Sequence, residues 1–387
     1  MTGSDADLLM NVERIALDVA GKAAADVDRC ARFPDETISA LRQVGALAAA
    51  VPHAFGGPGL GVVSLVQMCT SLARHCASSA MVLAMHHIQV SSIAGHCKNV
   101  PKLREYLRRV VDEQPLIASV TSELGPSGDM RRSVAAVEGA DGKFRLTKQA
   151  TTISYGKYAD DLLITARRSP ESAPSDQVLV VVPKGSYELA IVSEWDTLGM
   201  RGTCSPGGTV SVRVEPWYIL PEPFGEIAAR TMVPTSHLLW SACWLGIATD
   251  AVAKARKVVR AKARAEPGAI PRAALRTVEL VAKLQLMRND IMSVAREYEY
   301  LVTNGADRHL DSLSFALRIN NLKLDASRLV VEIASEALSI CGIAAYKNDS
   351  PVSLGRHLRD AHSAALMINN ERIQETNASL LLVHKDD

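Results

Sequence analysis

WDTLGMRGTCSPGGTVSVRVEP, residues Trp195 to Pro216, asks for two kinds of backbone in one stretch. Its first part holds Gly199, Gly202, Pro206, Gly207 and Gly208. Glycine and proline at that density interrupt any regular element; the glycines let the chain turn sharply, and Arg201 and Thr203 are placed to anchor the turn. Its second part, TVSVRVE, alternates apolar and polar residues, with β-branched ones enriched, which is the two-residue period of a half-buried strand. A tight crossing that feeds a strand is expected, with Arg201 read mainly as a structural anchor.

Similar short runs surround it. LIASVTS, FRLTKQATTIS, DLLITAR, QVLVVVPK and LAIVSEW follow one another between about residues 115 and 227, separated by Gly, Pro, Asp and Ser, which predicts a mostly antiparallel barrel or sandwich. Upstream, over residues 1–114, apolar residues recur every three or four positions (Leu8, Val12, Ile15, Ala16, Val19, then Val63 to Ile93) and predict helices. The stretch VPHAFGGPGLG, Val51 to Gly61, breaks them as a loop, either an ordinary connection or a ligand contact. Downstream, over residues 228–387, long Ala-, Leu- and Arg-rich segments restore helical periodicity, punctuated at Pro267, Gly268, Pro271 and Gly305. The expected architecture is an α+β multidomain protein: an amino-terminal helical domain, a central antiparallel β-barrel or sandwich and a carboxy-terminal helical bundle.

Composition narrows the functions. The 387 residues are 48% hydrophobic, enough for a large core, and 43 Lys and Arg balance 42 Asp and Glu. Such a chain has no overall field with which to recruit nucleic acid or an anionic membrane. Seven scattered cysteines form no CxxC pair and no metal-spaced cluster, so no metal site is expected and a reducing compartment is. With no apolar run of roughly 18 residues and a polar, acidic start, MTGSDADLLMNVERIA, the expected location is cytoplasmic. GxGxxG after a strand, GxxxxGK[ST], HExxH and GxSxG are all missing, which sets aside Rossmann enzymes, P-loop NTPases, zincins and α/β-hydrolases.

Several segments, in this order, resemble the acyl-CoA dehydrogenase family over essentially the whole chain. They are FPDETISALRQVGALAAAVPHAFGGPGLG (Phe33 to Gly61), VTSELGPSGD (Val120 to Asp129), ISYGKYADDLLITAR (Ile153 to Arg167), the LGMRGT crossing, and RHLRDAHSAALMINNERIQ (Arg356 to Gln374). The resemblance implies a flavin, taken as FAD, and a homodimer or homotetramer. It places Ser122 where the family has a hydroxyl near the flavin O2 edge and Ser154 where one faces N5, with Glu123, Leu124 and Gly128 of the same segment passing the ring. Thr152 stands where the family usually has an aromatic wall. SICGIAAY, Ser339 to Tyr346, keeps Gly342 of a glycine-rich turn that holds the adenosine end from a neighbouring subunit, but lacks the full Gly-Gly-x-Gly; the Arg-Lys-x-Phe element is replaced by ARAEPGAIPR.

The resemblance also implies a reaction: α,β-dehydrogenation of an acyl thioester, of CoA or a carrier protein, in which a carboxylate takes the α-proton while hydride goes to flavin N5. Electrons then pass to an acceptor. The usual glutamate position falls on Ile368, and the alternative helix position on Arg256, so this chain has no carboxylate at either. Glu371, one helical turn further, is the candidate base; an exposed helix residue is the competing and commoner reading. His87, beside His86 on a helix that the resemblance places over the flavin, is the second candidate, a satisfied core histidine being its alternative. Asn369 and Asn370 follow that position and are candidates to hydrogen-bond a ligand or the flavin, with Asn370 taken as the cofactor contact; capping of a turn is the equal alternative. The alternative function is a flavin-dependent monooxygenase of the same fold, served by a flavin reductase, in which a peroxyflavin attacks the substrate; a catalytically silent flavoprotein is a third.

Overall fold

The computed structural model describes residues 3–125, 129–268 and 270–384. Six helices come first: α1 (Gly3–Ile15), α2 (Gly21–Arg29), α3 (Asp35–Gln43), α4 (Val62–Ala73), α5 (Ala77–His96) and α6 (Pro101–Glu113). A π-helical turn at Ala16–Ala20 joins the first two. Helix α5 is buried on nearly every face, as expected of a helix that is apolar all round and runs through the centre of a protein. Val51 to Gly61 is an interhelical connection that starts α4 and stays off the main cavity.

Strands β1 (Ile117–Val120), β2 (Glu138–Ala140), β3 (Lys143–Ala150), β4 (Asp161–Arg167), β5 (Gln177–Val182), β6 (Tyr187–Ile191) and β7 (Gly208–Val214) follow. They form two sheets, β1-β4-β5 and β2-β3-β7-β6, in a sandwich-like arrangement and not a closed barrel. The TVSVRVE alternation is realised in β7, where Val210, Val212 and Val214 are buried while Ser211 and Arg213 face out. One departure from the antiparallel expectation is β1, which pairs with β4 in parallel, Ile117 to Val120 against Asp161 to Ile164. The chain leaves β1, builds β2 and β3 in the other sheet, and returns in the original direction, as a parallel pair requires. The sheets are bridged by Lys148 of β3, whose buried ammonium donates to the carbonyl (2.7 Å) and hydroxyl (2.8 Å) of Thr165 on β4.

The remaining helices are α7 (Phe224–Ile227), α8 (Val233–Ala265), α9 (Arg272–Thr303), α10 (Asp307–Leu310), α11 (Leu313–Cys341), α12 (Ile343–Tyr346), α13 (Gly355–His362) and α14 (Asn370–Leu381). Helix α11 begins with Ser312 accepting a bond from the Phe315 amide, an N-cap. The α8 helix reaches back to pack on α4, and Gly246 makes that approach possible: a Cβ there would lie 2.4 Å from the Ala73 Cβ. Among the described residues no helix is long and apolar enough to cross a membrane.

The LGMRGT crossing locks the three layers. A Cβ on Gly199 would lie 2.1 Å from the Arg359 carbonyl, so only glycine lets the crossing sit on α13. There the Met200 amide donates to Asp360 at 2.6 Å, Arg359 forks onto Asp28 of α2, and Arg201 donates to the Asp28 carbonyl at 2.9 Å. Arg201 is therefore the anchor the sequence suggested. Burial lifts the Asp360 carboxyl to about 6, while the Met200 amide bond pulls it back down.

Candidate functional site

A cavity of about 750 Å³ opens where the three layers meet, within the usual range for small-molecule sites. Its two sides differ in chemistry. The β side offers hydroxyls: Ser119, Thr121, Ser122, Thr152, Ser154 and Ser205. The helical side is mainly apolar, with Met81, Val82, Met85 and Ile88 of α5, Val233 and Trp240 of α8, and Leu366, Met367 and Ile368 of the α13–α14 turn, although Ser236, Asn369 and Arg372 also border it. A slot with one hydrogen-bonding wall and one apolar wall suits a flat heteroaromatic ring with a polar edge.

The predicted hydroxyls reach this wall in different states. Ser122 donates to the Thr152 carbonyl at 2.7 Å and accepts from the Thr152 amide at 3.0 Å; its hydroxyl is occupied in clasping the two segments together. Ser154 lines the cavity, with no side-chain hydrogen bond among the described residues. Tyr155, next to it, holds a positive φ of 41° while its hydroxyl donates to the Ile117 carbonyl at 2.7 Å, so the turn that presents Ser154 is braced from below.

Glu123 borders the cavity, but its carboxylate points into the β domain. It accepts from the Ser133 hydroxyl (2.7 Å) and the amides of Val134 (3.1 Å) and Ala135 (2.6 Å), and it lies 3.6 Å from Lys148. A buried carboxylate needs such partners, and these come from the fold, not from a ligand. Burial lowers the Lys148 ammonium to about 8 against the pull of Glu123. Leu124 is 61% exposed and off the cavity, its amide bonded to the Gln149 carbonyl at 2.9 Å. Gly128 lies outside the described residues.

The turn between α13 and α14 carries Ile368, where the resemblance sets the family's base. Ile368 lines the cavity with φ of 50°, a conformation that costs a β-branched residue energy and persists only where the surroundings impose it. Its carbonyl accepts from Lys323 of α11 at 2.7 Å. The same ammonium donates at 2.6 Å to the Asn370 side chain, which also bonds Ser327. Asn370 is thus turned away from the cavity and holds the turn, while Asn369 lines the cavity and caps α14 by accepting from the Glu371 amide at 2.9 Å. Glu371 itself is exposed and does not line the cavity. Gly342 ends α11 with φ of 67° in open space, away from this cavity.

His87 is also kept out. It is fully buried, neither ring nitrogen has a well-formed hydrogen bond, and burial pushes its pKa well below the ordinary value. Its neighbour His86 is a structural bridge, accepting from the Ile117 amide at 3.1 Å and donating to the Leu47 carbonyl at 2.6 Å. Arg256 lies on α8 sixteen positions beyond Trp240, roughly 24 Å along the axis, and borders a separate cavity. The α8 positions that do reach the main cavity, Val233, Ser236 and Trp240, are not acidic either.

Three features of the site escape a reading by sequence. Trp195 and Trp240 line the cavity and supply aromatic surface that Thr152 does not; no local spacing marks either. Lys323 sits in the apolar stripe of α11 and is fully buried, over the Trp244 ring at 5.8 Å. A lysine on the buried side of an amphipathic helix is the signal that would have found it. Gln89, equally buried on α5, is the third.

Two family models match the chain, the acyl-CoA dehydrogenase N-terminal domain over residues 4–114 and the acyl-CoA dehydrogenase C-terminal domain over residues 228–374. Among curated proteins, the chain is 26% identical to the amino sugar nitrososynthase DnmZ of Streptomyces peucetius, over 88% of this chain and 84% of that one. It is also 26% identical to the cyclohex-1-ene-1-carbonyl-CoA dehydrogenase of Geobacter metallireducens, over 90% of each. Among solved structures, FMN-bound TdsC from Paenibacillus sp. A11-2 superposes with a TM-score of 0.84 at 20% identity, over 98% of both chains. With its helical ends matched and its sheets between them, the chain belongs to the acyl-CoA dehydrogenase family.

Proposed function

We propose that the chain is a flavin-dependent monooxygenase that oxidises a small, largely apolar organic molecule with electrons delivered by a separate flavin reductase. The observation that carries this reading is the state of the carboxylates that line the cavity. Of the two acidic residues lining the cavity, Glu123 is consumed by Ser133, Val134 and Ala135, and Asp129 is paired with Arg131 at 3.0 Å. An acyl-thioester dehydrogenase needs a base within hydrogen-bond reach of the α-carbon's proton, and neither is free for that task. The relatedness to a nitrososynthase and the likeness to TdsC, a dibenzothiophene monooxygenase, support the same choice.

The residues fit a flavin. Ser154 and Thr121 would hold its polar edge, Trp195 and Trp240 its faces and rim, and Arg132 and Arg372, which border the cavity and make no ion pair among the described residues, its phosphate. The absent Gly-Gly-x-Gly and Arg-Lys-x-Phe elements, which would hold an adenosine end, favour FMN over FAD. When bound, the flavin supplies the redox chemistry, accepting two electrons and passing them on. The protein's own part is to orient the substrate on the α5 side, to keep water out with Met81, Met85, Leu366 and Met367, and to hold the 363–369 turn still.

Dehydrogenation of an acyl thioester is the second reading, favoured by the similarity to the cyclohexene-carbonyl-CoA enzyme; it requires Glu371 to enter from outside the cavity. One experiment separates the two. The oxidised holoprotein is mixed anaerobically with a panel of acyl thioesters; in a second arm it is given a small, largely apolar molecule such as indole together with a flavin reductase, NADH and oxygen. Absence of bleaching together with reductase-dependent oxygenated product is the expected result; bleaching by any thioester of the panel would overturn it. The flavin released on denaturation should run as FMN.

A further inference from the structure

Two adjacent residues hold two different parts of the cavity. Ser122 clasps Thr152, two positions before Ser154. Glu123, the next residue, is buried and bonds the chain that carries Arg132. Its carboxylate takes bonds from three consecutive residues: the Ser133 hydroxyl at 2.7 Å and the amides of Val134 and Ala135 at 3.1 and 2.6 Å. Lys148, buried and 3.6 Å away, supplies the counter-charge.

Arg132 immediately precedes this clamp. Its amide closes a turn onto the Asp129 carbonyl at 3.1 Å. Its side chain is exposed, borders the cavity and has no carboxylate partner among the described residues. Beyond the clamp the Ala135 carbonyl accepts from the Arg167 amide of β4 at 2.8 Å, and before it the Met130 carbonyl accepts from Gln177 at 2.9 Å. A carboxylate binds backbone amides more strongly than a neutral acceptor does. Exchanging it for a carboxamide would therefore loosen the backbone beside Arg132 and leave the Lys148 ammonium without its counter-charge.

We propose that Glu123 is a positioning residue for the cofactor's phosphate: it touches no ligand itself, and sets the backbone from which Arg132 meets an anion in the cavity. The inference rests on reading the cavity as a flavin site with Arg132 at the phosphate. It goes beyond that reading by naming the residue that aims the arginine, one peptide bond from the clasp that holds the hydroxyl wall.

The test is cofactor binding without turnover, so that failure of the monooxygenase reading leaves it intact. The full chain, freed of flavin, is titrated with FMN and with riboflavin, which lacks the phosphate, and flavin fluorescence is followed. The wild type should bind FMN roughly ten-fold or more tightly than riboflavin, as charge-assisted bonds to a phosphate predict. Arg132→Met and Glu123→Gln should each weaken FMN by about five-fold or more while leaving riboflavin within about two-fold. Added to Arg132→Met, Glu123→Gln should cost less than about a further two-fold, because a residue that acts through Arg132 then has nothing left to aim. Ser133→Ala, which removes one of the three bonds, should shift FMN affinity in the same direction, and it serves as the test if Glu123→Gln does not fold. Equal losses for FMN and riboflavin in Glu123→Gln, additive losses in the double variant, or unchanged FMN affinity in Glu123→Gln would each overturn the proposal. Unchanged FMN affinity in Arg132→Met would overturn the phosphate assignment together with the proposal, whereas a wild type that binds neither flavin would overturn the flavin reading itself.

Discussion

The Lys323 ammonium donates to the carbonyl of Ile368 at 2.7 Å, tying the buried face of α11 to the strained residue at which the resemblance sets the family's base. Burial lowers this lysine to about 8, so at neutral pH it is still protonated and able to serve Ile368 and Asn370 together. Lys323→Met should release the turn. We expect ligand affinity at the cavity to fall at least ten-fold, about 1.4 kcal/mol, while the melting temperature drops by only about 2–6 °C. Titration of the purified holoprotein beside a thermal melt checks both; a melt shift with unchanged affinity would make Lys323 purely a matter of stability.

Ile368 already occupies a left-handed backbone conformation, which an unbranched residue tolerates better. Ile368→Glu should therefore fold, and it places a carboxylate on the cavity wall. Anaerobic reduction of the flavin by a short acyl thioester should rise at least ten-fold over the wild type, followed as bleaching. Glu371→Gln, in contrast, should leave every rate within about two-fold, since Glu371 is exposed and outside the cavity.

The bridge made by His86 requires a neutral ring, because Nδ1 must accept from Ile117. Burial lowers His86 to about 4, and His237 likewise. Below the unfolded value near 6.5 the unfolded chain takes up protons that the folded chain refuses, so these groups leave stability intact above pH 6.5 and erode it as pH falls from 6.5 to 4. Each contributes up to about 3 kcal/mol of that loss. Melting temperatures across pH 4–8 should slope downward in this window, and His86→Asn, less stable at neutral pH, should show a shallower slope.

Helix α9 carries Leu275 and Val278, 72% and 68% exposed, three residues apart on one face. If these residues belong to an association surface, replacing them with charges will break it. Leu275→Glu with Val278→Glu should lower the molecular mass in solution by sedimentation and raise solubility of the smaller species. An unchanged mass would remove α9 from the interface.

Much of the fold was legible because it rests on period. The two-residue alternation of TVSVRVE and the three-to-four spacing around Val63 to Ile93 survive as β7 and as α4 and α5, since burial on one face dictates both patterns. The β1–β4 pairing was not legible: LIASVTS and DLLITAR are apolar on both faces, and such runs do not say which way a partner runs. Ser122 and Ser154 stand on the cavity wall to which their segments pointed, but the bond from Ser122 to Thr152 depends on a contact thirty residues apart. Glu371 and His87 were chosen by residue type, whereas reach into the cavity depends on the turn held by Lys323 and on the rotation of α5. Gln89 carries no spacing signal, because a single amide on an apolar helix shows its place beside the cavity only in the fold.

The contact of Gly246 with Ala73 joins residues separated by some 170 positions. During synthesis the ribosome releases α4 and α5 long before α8 exists to cover them, so the nascent chain carries an apolar helical surface through the making of the entire β domain. Its yield in a cell should therefore depend on chaperone capacity more than its final stability suggests. Truncations ending before α8 should be captured as insoluble or chaperone-bound chains, however well their own helices form.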